Sequence, residues 1–396
     1  MAILATIGAS GVVLLLGSLW LEHRATIELP KPTGAFAVGR AIHVWTDHPR
    51  PDTLAPGAVR RELVVWIWYP ADPGKPEAAA DDYLPAPLRG AIERARGPLI
   101  SNLLTRDLAK VTSHSTGNAQ LSRQQRSYPV VIMRGGASAE VANYSTLAED
   151  LSSHGYIVVG FDAPYRTNVV VLPDSRVIKR TMDNSPDIGS SREQADRLAK
   201  LLDAWTADVA FVTDRLEQLN ASDSSGKFTG RLDMARLGVF GHSLGGATAA
   251  QFCHVDSRCK AGIDVDGALL GTVIQAGISR PFMFLLSDHG RPADSVSGRI
   301  ETDIRSVYDR LPPGGRLRIA IRGANHFTFS DDGALLKSYA VRGALRAFGG
   351  LRIDARRQLA VTAFCVHSFF DEYLKDEGAP KLETLVSAYP ELRVLK

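Results

Sequence analysis

Through the middle of the chain, short contiguous apolar runs alternate with longer stretches whose apolar residues recur every three or four positions. Tyr128 to Met133 (YPVVIM) and Tyr156 to Phe161 (YIVVGF) are such runs, as are Leu237 to Phe240, Ala261 to Val265, Pro281 to Leu286 (PFMFLL) and Leu317 to Ile321 (LRIAI). Each is short enough for a strand and apolar on both faces, as a strand covered from above and below must be. Between them, Glu140 to His154 predicts a helix that Gly155 terminates. Leu198, Leu201, Leu202, Trp205, Val209, Val212, Leu216 and Leu219 mark one face of a long helix. Gly245 to Phe252 and Arg299 to Leu311 complete the helical set, and the chain from Ala334 is mainly helical. Strand–helix alternation of this kind predicts an α/β architecture built on a mostly parallel sheet, with active residues at the carboxyl ends of strands.

The first part of the chain has a different pattern. Phe36 to Val44 has strand character, and Arg61 to Tyr69 (RELVVWIWY) is a β-branched and aromatic strand expected to stop at Pro70. Pro73, Gly74 and Pro76 make Ala71 to Ala80 a loop. Leu88 to Lys110 reads as a polar helix interrupted at Pro98, and Tyr165 to Ser191 as a long polar excursion.

Met1 to Leu21 carries no charged side chain, and Trp20 stands where an interfacial aromatic belongs. As a helix this stretch would be roughly 30 Å long, the thickness of a hydrocarbon core. Residues 1–24 are therefore expected to form a transmembrane or signal-anchor segment that ties the protein to a membrane. A cleaved signal peptide, which would give a secreted form, is the alternative; it lacks a basic leader and a small-residue cleavage site. Arg24, Lys31 and Arg40 after the segment lean weakly toward a cytoplasmic body. Residues 25–396 are expected to form a single catalytic domain.

Composition narrows the choice of function. The chain has 396 residues, 45% of them hydrophobic, so it has enough apolar side chain for one large core. A net charge of +3, with both signs interspersed, excludes the clustered basic face of a nucleic-acid binder. The three cysteines are too few for a disulfide scaffold. Cys253 and Cys259 either close a small disulfide loop or remain thiols, and Cys365 falls in an apolar helical stretch.

Gly241-His242-Ser243-Leu244-Gly245 fits G-x-S-x-G, with Leu237–Phe240 before it and a helical stretch after it. Strand, tight turn and helix are what a nucleophile elbow requires, so Ser243 is the expected nucleophile of an α/β-hydrolase fold. The side chain of His242, inside the elbow, is expected to point away from the reacting centre. A serine nucleophile needs a base. His326, directly after the last strand, is the candidate; His254, His289 and His367 are less well placed. The base in turn needs a carboxylate, and Asp266 and Asp288 both end strands. Asp264 shares a strand face with Asp266 but lies further from the strand end. The oxyanion donors are expected to be the backbone N–H groups of Leu244 and of Gly136, in Arg134-Gly135-Gly136. No metal or cofactor is called for by this chemistry.

With these residues in view, the chain resembles the platelet-activating factor acetylhydrolases. The similarity runs from about Leu29 to Gly378. It is carried by Pro32-Thr33-Gly34, Ala37-Val38-Gly39, Arg61-Glu62-Leu63 with Trp68-Tyr69-Pro70, and Leu151–Val159. It continues in the elbow, in Ala261–Gly267 and in Ile321–Phe327. The resemblance implies that Asp266 rather than Asp288 is the acid. It further implies a serine esterase that removes short or oxidised acyl groups, such as an sn-2 acetyl, from phospholipids without calcium. The family's His-Gly at the oxyanion strand is Arg134-Gly135 here. A general carboxylesterase, a polyester- or amide-cleaving hydrolase, and a non-catalytic binding protein of the same fold are the other readings.

Overall fold

The computed structural model describes residues 2–57, 59–73, 81–181, 192–288, 295–337, 342–343, 352–375 and 381–395, with side chains from residue 10 onward except at 103, 295–297, 383 and 385. His289, most of the loop expected before residue 81 and the end of the polar excursion lie outside the described residues.

The apolar runs become the strands of one ten-stranded sheet. In chain order they are β1 (Ala37–Pro51), β2 (Arg60–Ala71), β3 (Ser115–Gly117), β4 (Tyr128–Arg134) and β5 (Ile157–Asp162). They continue with β6 (Leu232–His242), β7 (Cys259–Val265), β8 (Phe282–Leu286), β9 (Arg316–Ile321) and β10 (Leu392–Val394). Across the sheet the order is β10-β9-β8-β7-β6-β4-β5-β2-β1-β3. From β5 to β9 every neighbouring pair is parallel. β2 joins β5 antiparallel, and β10 closes the other end antiparallel to β9.

Every residue of β4, β5 and β8 is buried, because helices cover both faces. Alternate residues serve two cores. Val131 and Met133 of β4 face one core, while Val130 and Ile132 face the other. Each buried Val or Ile contributes about 1.5–3 kcal/mol. α3 (Ser145–Ser153) and α7 (Ala355–Leu374) cover the first face. α4 (Arg192–Ala221), α5 (Leu244–Val255) and α6 (Ser295–Asp309) cover the second. α4 buries the expected stripe from Leu198 to Leu216.

Several local expectations change. β2 runs through Pro70, because its ladder to β5 ends at Trp68 and no strand on that side needs the missing N–H. The polar helix is α2 (Ala86–Leu99), kinked at Gly97, followed by a π turn over Ile100–Leu104. The long excursion contains a small hairpin, Val169–Val171 against Val177–Lys179. Cys253 and Cys259 form a disulfide, and Cys365 is a buried thiol.

The N-terminal helix, α1 (Ala2–Arg24), forms, but the membrane-spanning expectation is not supported. Among the described residues no helix is long and apolar enough to cross a membrane. Ser10, Gly11, Gly17 and Ser18 dilute its described part, which ends in Glu22, His23 and Arg24. That end is docked on the protein body: Arg106 donates to the Glu22 carbonyl, and the Asp107 N–H donates to the His23 carbonyl.

Candidate active site

β6 ends at His242 and α5 begins at Leu244, so Ser243 makes the whole turn, with φ 58° and ψ −123°. A side chain at positive φ is strained, and the surrounding chain must hold it there. Two hydrogen bonds do so: the Ser243 N–H donates to the Val265 carbonyl on β7, and its own carbonyl accepts from Gly246. The pattern's two glycines are required by close approach. A Cβ on Gly241 would overlap the backbone of Gly245, and a Cβ on Gly245 would overlap the carbonyls of Arg134 and Gly135.

His326 follows β9 in a short helical turn. Gln358 of α7 holds that turn, accepting from the Asn325 N–H and donating to the Asn325 carbonyl. The His326 Nε2 lies 3.1 Å from Ser243 Oγ, and its Nδ1 lies 2.7 Å from Asp266 Oδ2. Asp266, at φ 55°, continues the β7–β8 ladder by donating its N–H to the Leu285 carbonyl. That register sets it beside Ser287, whose N–H donates to Oδ1 and whose hydroxyl donates to Oδ2. The structure thus brings Ser243, His326 and Asp266 together.

The rival residues lie elsewhere. Asp288 accepts from the Gly323 N–H at 3.0 Å and faces Arg393. Asp264 is fully buried under the elbow, accepts from the Gly267 N–H, and is pushed up to about 8 by burial. His254 sits near the far end of α5. His367 is bonded to Asp150.

His242 does not point away from the cleft. Its ring lines the cleft, 4.6 Å from the His326 ring centroid. Contact with Phe329 and a 2.8 Å bond between Nδ1 and the Tyr144 hydroxyl hold it there. Burial pushes His242 down to about 3, so its imidazole is neutral. Tyr144 also changes the oxyanion side, because its hydroxyl accepts the Gly136 N–H at 3.0 Å. Leu244 heads α5, and its N–H belongs to the first helical turn, which has no partner within the helix. Arg134 is buried between Phe161 and Trp205, donates to the Phe161 carbonyl, and is pushed down to about 10 by burial. It therefore supports the strand end.

Tyr144, His242 and Ser287 were not legible as site residues. Ser287 directly precedes Asp288 in the sequence, but only the strand register reveals that it serves Asp266. The cleft over Ser243 has a volume of about 500 Å³, and Gly136, Phe327, Arg96 and Asp332 are among the residues that line it. The arrangement provides a hydroxyl, an imidazole and a buried carboxylate in hydrogen-bonded sequence, which is the equipment of acyl transfer.

The family model described as platelet-activating factor acetylhydrolase, isoform II, matches residues 22–167 and 204–380. A protein of Arthroderma benhamiae named probable 1-alkyl-2-acetylglycerophosphocholine esterase is 28% identical over 92% of this chain and 92% of its own length. The platelet-activating factor acetylhydrolase of Bos taurus is 26% identical over 59% of this chain and 54% of its own. A solved structure of a ferulic acid esterase from Streptomyces cinnamoneus superimposes with a TM-score of 0.76 at 27% identity, covering 94% of this chain and all of that one. The protein is a carboxylic ester hydrolase and belongs to the platelet-activating factor acetylhydrolase, isoform II family.

Proposed function

We propose that residues 25–396 act as one catalytic unit that hydrolyses short acyl esters through an acyl-enzyme on Ser243. The substrates are phospholipids carrying an sn-2 acetyl or a short or oxidised acyl group. The carrying observation is the position of His326, within hydrogen-bond reach of both Ser243 and Asp266. His326 takes the Ser243 proton as the hydroxyl attacks the ester carbonyl, and Asp266 holds the imidazole in the tautomer that presents Nε2 as base. His326 then protonates the leaving alcohol. Water, deprotonated by the same nitrogen, releases the acid from Ser243.

The N–H groups of Leu244 and Gly136 stabilise the oxyanion, each by roughly 3 kcal/mol. For Gly136 this requires the developing oxyanion to take the place of the Tyr144 hydroxyl, which accepts its N–H in the resting site. A negative oxygen is the stronger acceptor, so the exchange favours the transition state over the ground state.

A broader carboxylesterase activity is the second reading. It is favoured by the polar and charged lining of the cleft, with Arg96, Glu140, Asn143 and Asp332, and by a 23% identical cutinase of Thermobifida fusca among the relatives. Rates on a phospholipid with an sn-2 acetyl, set against p-nitrophenyl esters of increasing length, separate the two. A kcat/KM on the phospholipid no higher than on the simple acetate ester would favour the broader enzyme.

A further inference from the structure

Phe327 directly follows the base in the chain, and its side chain is 76% exposed. A lone exposed phenylalanine on an open surface needs no explanation. This one lines the cleft over Ser243, with its ring at 88° to the His326 imidazole and the two centroids 5.3 Å apart. The next two residues point the other way: Thr328 is buried, and Phe329 is fully enclosed in the core.

The turn that presents the ring is held from several sides. Asn325 Oδ1 accepts the Phe327 N–H at 2.9 Å, and the Asn325 carbonyl accepts the Thr328 N–H at 3.2 Å. Gln358 of α7 grips the same turn through the Asn325 backbone and the Thr328 hydroxyl. With Phe329 anchored below, the Phe327 ring cannot fold under the surface without breaking these bonds. An apolar ring is thus kept in water at the mouth of the cleft, and the gain from covering it is left to a bound molecule.

The chemistry of the site decides which half of an ester covers the ring. His326 gives its proton to the leaving alcohol, so the alcohol oxygen must come within hydrogen-bond reach of Nε2. The carbonyl oxygen is turned the other way, toward the N–H groups of Gly136 and Leu244. The carbons attached to the alcohol oxygen therefore lie beside the imidazole, where Phe327 stands. When the acyl group is as short as acetyl, the alcohol is also the larger half and the one with apolar surface to bury.

We propose that Phe327 binds the alcohol half of the ester and selects alcohols with an apolar stem next to the ester oxygen. This rests on the acyl-enzyme reading of Ser243 and adds which half of the substrate is selected. The lining turns polar beside the ring. Ser330 Oγ lies 3.4 Å from the Phe327 carbonyl and 3.3 Å from Asp332 Oδ2, and Arg96 lies 3.5 Å from Asp332. The apolar contact is thus confined to the stem, and a polar group further along the alcohol meets Ser330, Asp332 and Arg96. The contact ends when the alcohol departs, so hydrolysis of the acyl-enzyme proceeds without it.

The test compares kcat/KM for two series of esters on the full chain. One keeps the acetyl group and lengthens the alcohol from ethyl to hexyl; the other keeps ethanol and lengthens the acyl group from acetyl to hexanoyl. The wild type should prefer hexyl acetate to ethyl acetate. Phe327→Ala should lower that ratio by about tenfold, the worth of about two buried methylenes, and shift the acyl ratio by less than about twofold. Phe327→Leu, which keeps apolar bulk, should recover most of the alcohol ratio. An equal loss on every ester would mean that the substitution loosened the His326 turn, and a change confined to the acyl series would put the ring on the acyl side. Either result overturns the proposal, as does an unchanged alcohol ratio. Fluorophosphonate labelling of the wild type separates the two levels. A label on Ser243 with an unchanged alcohol ratio removes the role of Phe327 alone, whereas no label on Ser243 removes the acyl-enzyme reading and this role with it.

Discussion

His326 Nδ1 lies 2.7 Å from Asp266 Oδ2, while Asp288, at the end of the next strand, accepts from the Gly323 N–H. Both aspartates follow a strand, and the register between β7 and β8 is what separates them. Asp266→Asn should therefore lower kcat by about 10⁴, because the amide favours the wrong imidazole tautomer. Asp288→Asn should cost less than about tenfold. Steady-state kinetics on a soluble ester decide the ranking, and the reverse order would reassign the acid.

Ser287 holds both oxygens of Asp266. Ser287→Ala removes the hydroxyl bond but keeps the backbone one. The expected loss is about tenfold in kcat, with KM unchanged, since removing one hydrogen bond to a charged group costs about 1.5–3 kcal/mol and part of it is recovered by solvent. A KM change without a kcat change would mean that Ser287 acts on substrate binding instead.

The Tyr144 hydroxyl competes with substrate for the Gly136 N–H. Tyr144→Phe should leave kcat within about fivefold of wild type. A loss on the order of 10²–10³ is what removal of an oxyanion donor produces. A loss of that size would make the phenol, rather than Gly136, the donor.

Asp264 is buried beneath the elbow and held up to about 8 by burial. Its folded value therefore lies above its unfolded one. The stability it contributes is complete below about pH 4 and is lost as pH rises through about 8. Asp264→Asn should flatten the fall in melting midpoint between pH 5 and pH 8. The same slope in both proteins would show that Asp264 ionises freely in the folded chain.

Much of this architecture is readable from sequence because a buried parallel strand has to be apolar on both faces. Tyr128–Met133 and Pro281–Leu286 announce themselves in that way. The elbow was legible for a similar reason: the glycines flanking Ser243 are demanded by local crowding. What was not legible depends on distant register or on unpredictable docking. Nothing near Tyr144 in the chain indicates that its hydroxyl meets Gly136 and His242. Nor does the composition of residues 1–21 reveal that the last turn of α1 is bonded to Arg106 and Asp107.

The central claim is that Ser243 carries the acyl group. The most direct measurement is the intact mass of the protein after a fluorophosphonate ester, followed by peptide mapping and the same treatment of Ser243→Ala. The account predicts one adduct per chain, located on the peptide containing Ser243 and accompanied by complete loss of esterase activity. It also predicts no adduct, and activity lower by about three orders of magnitude or more, in a Ser243→Ala protein that melts as wild type does. Full turnover by that folded variant, or an adduct on another residue that abolishes activity, would contradict it.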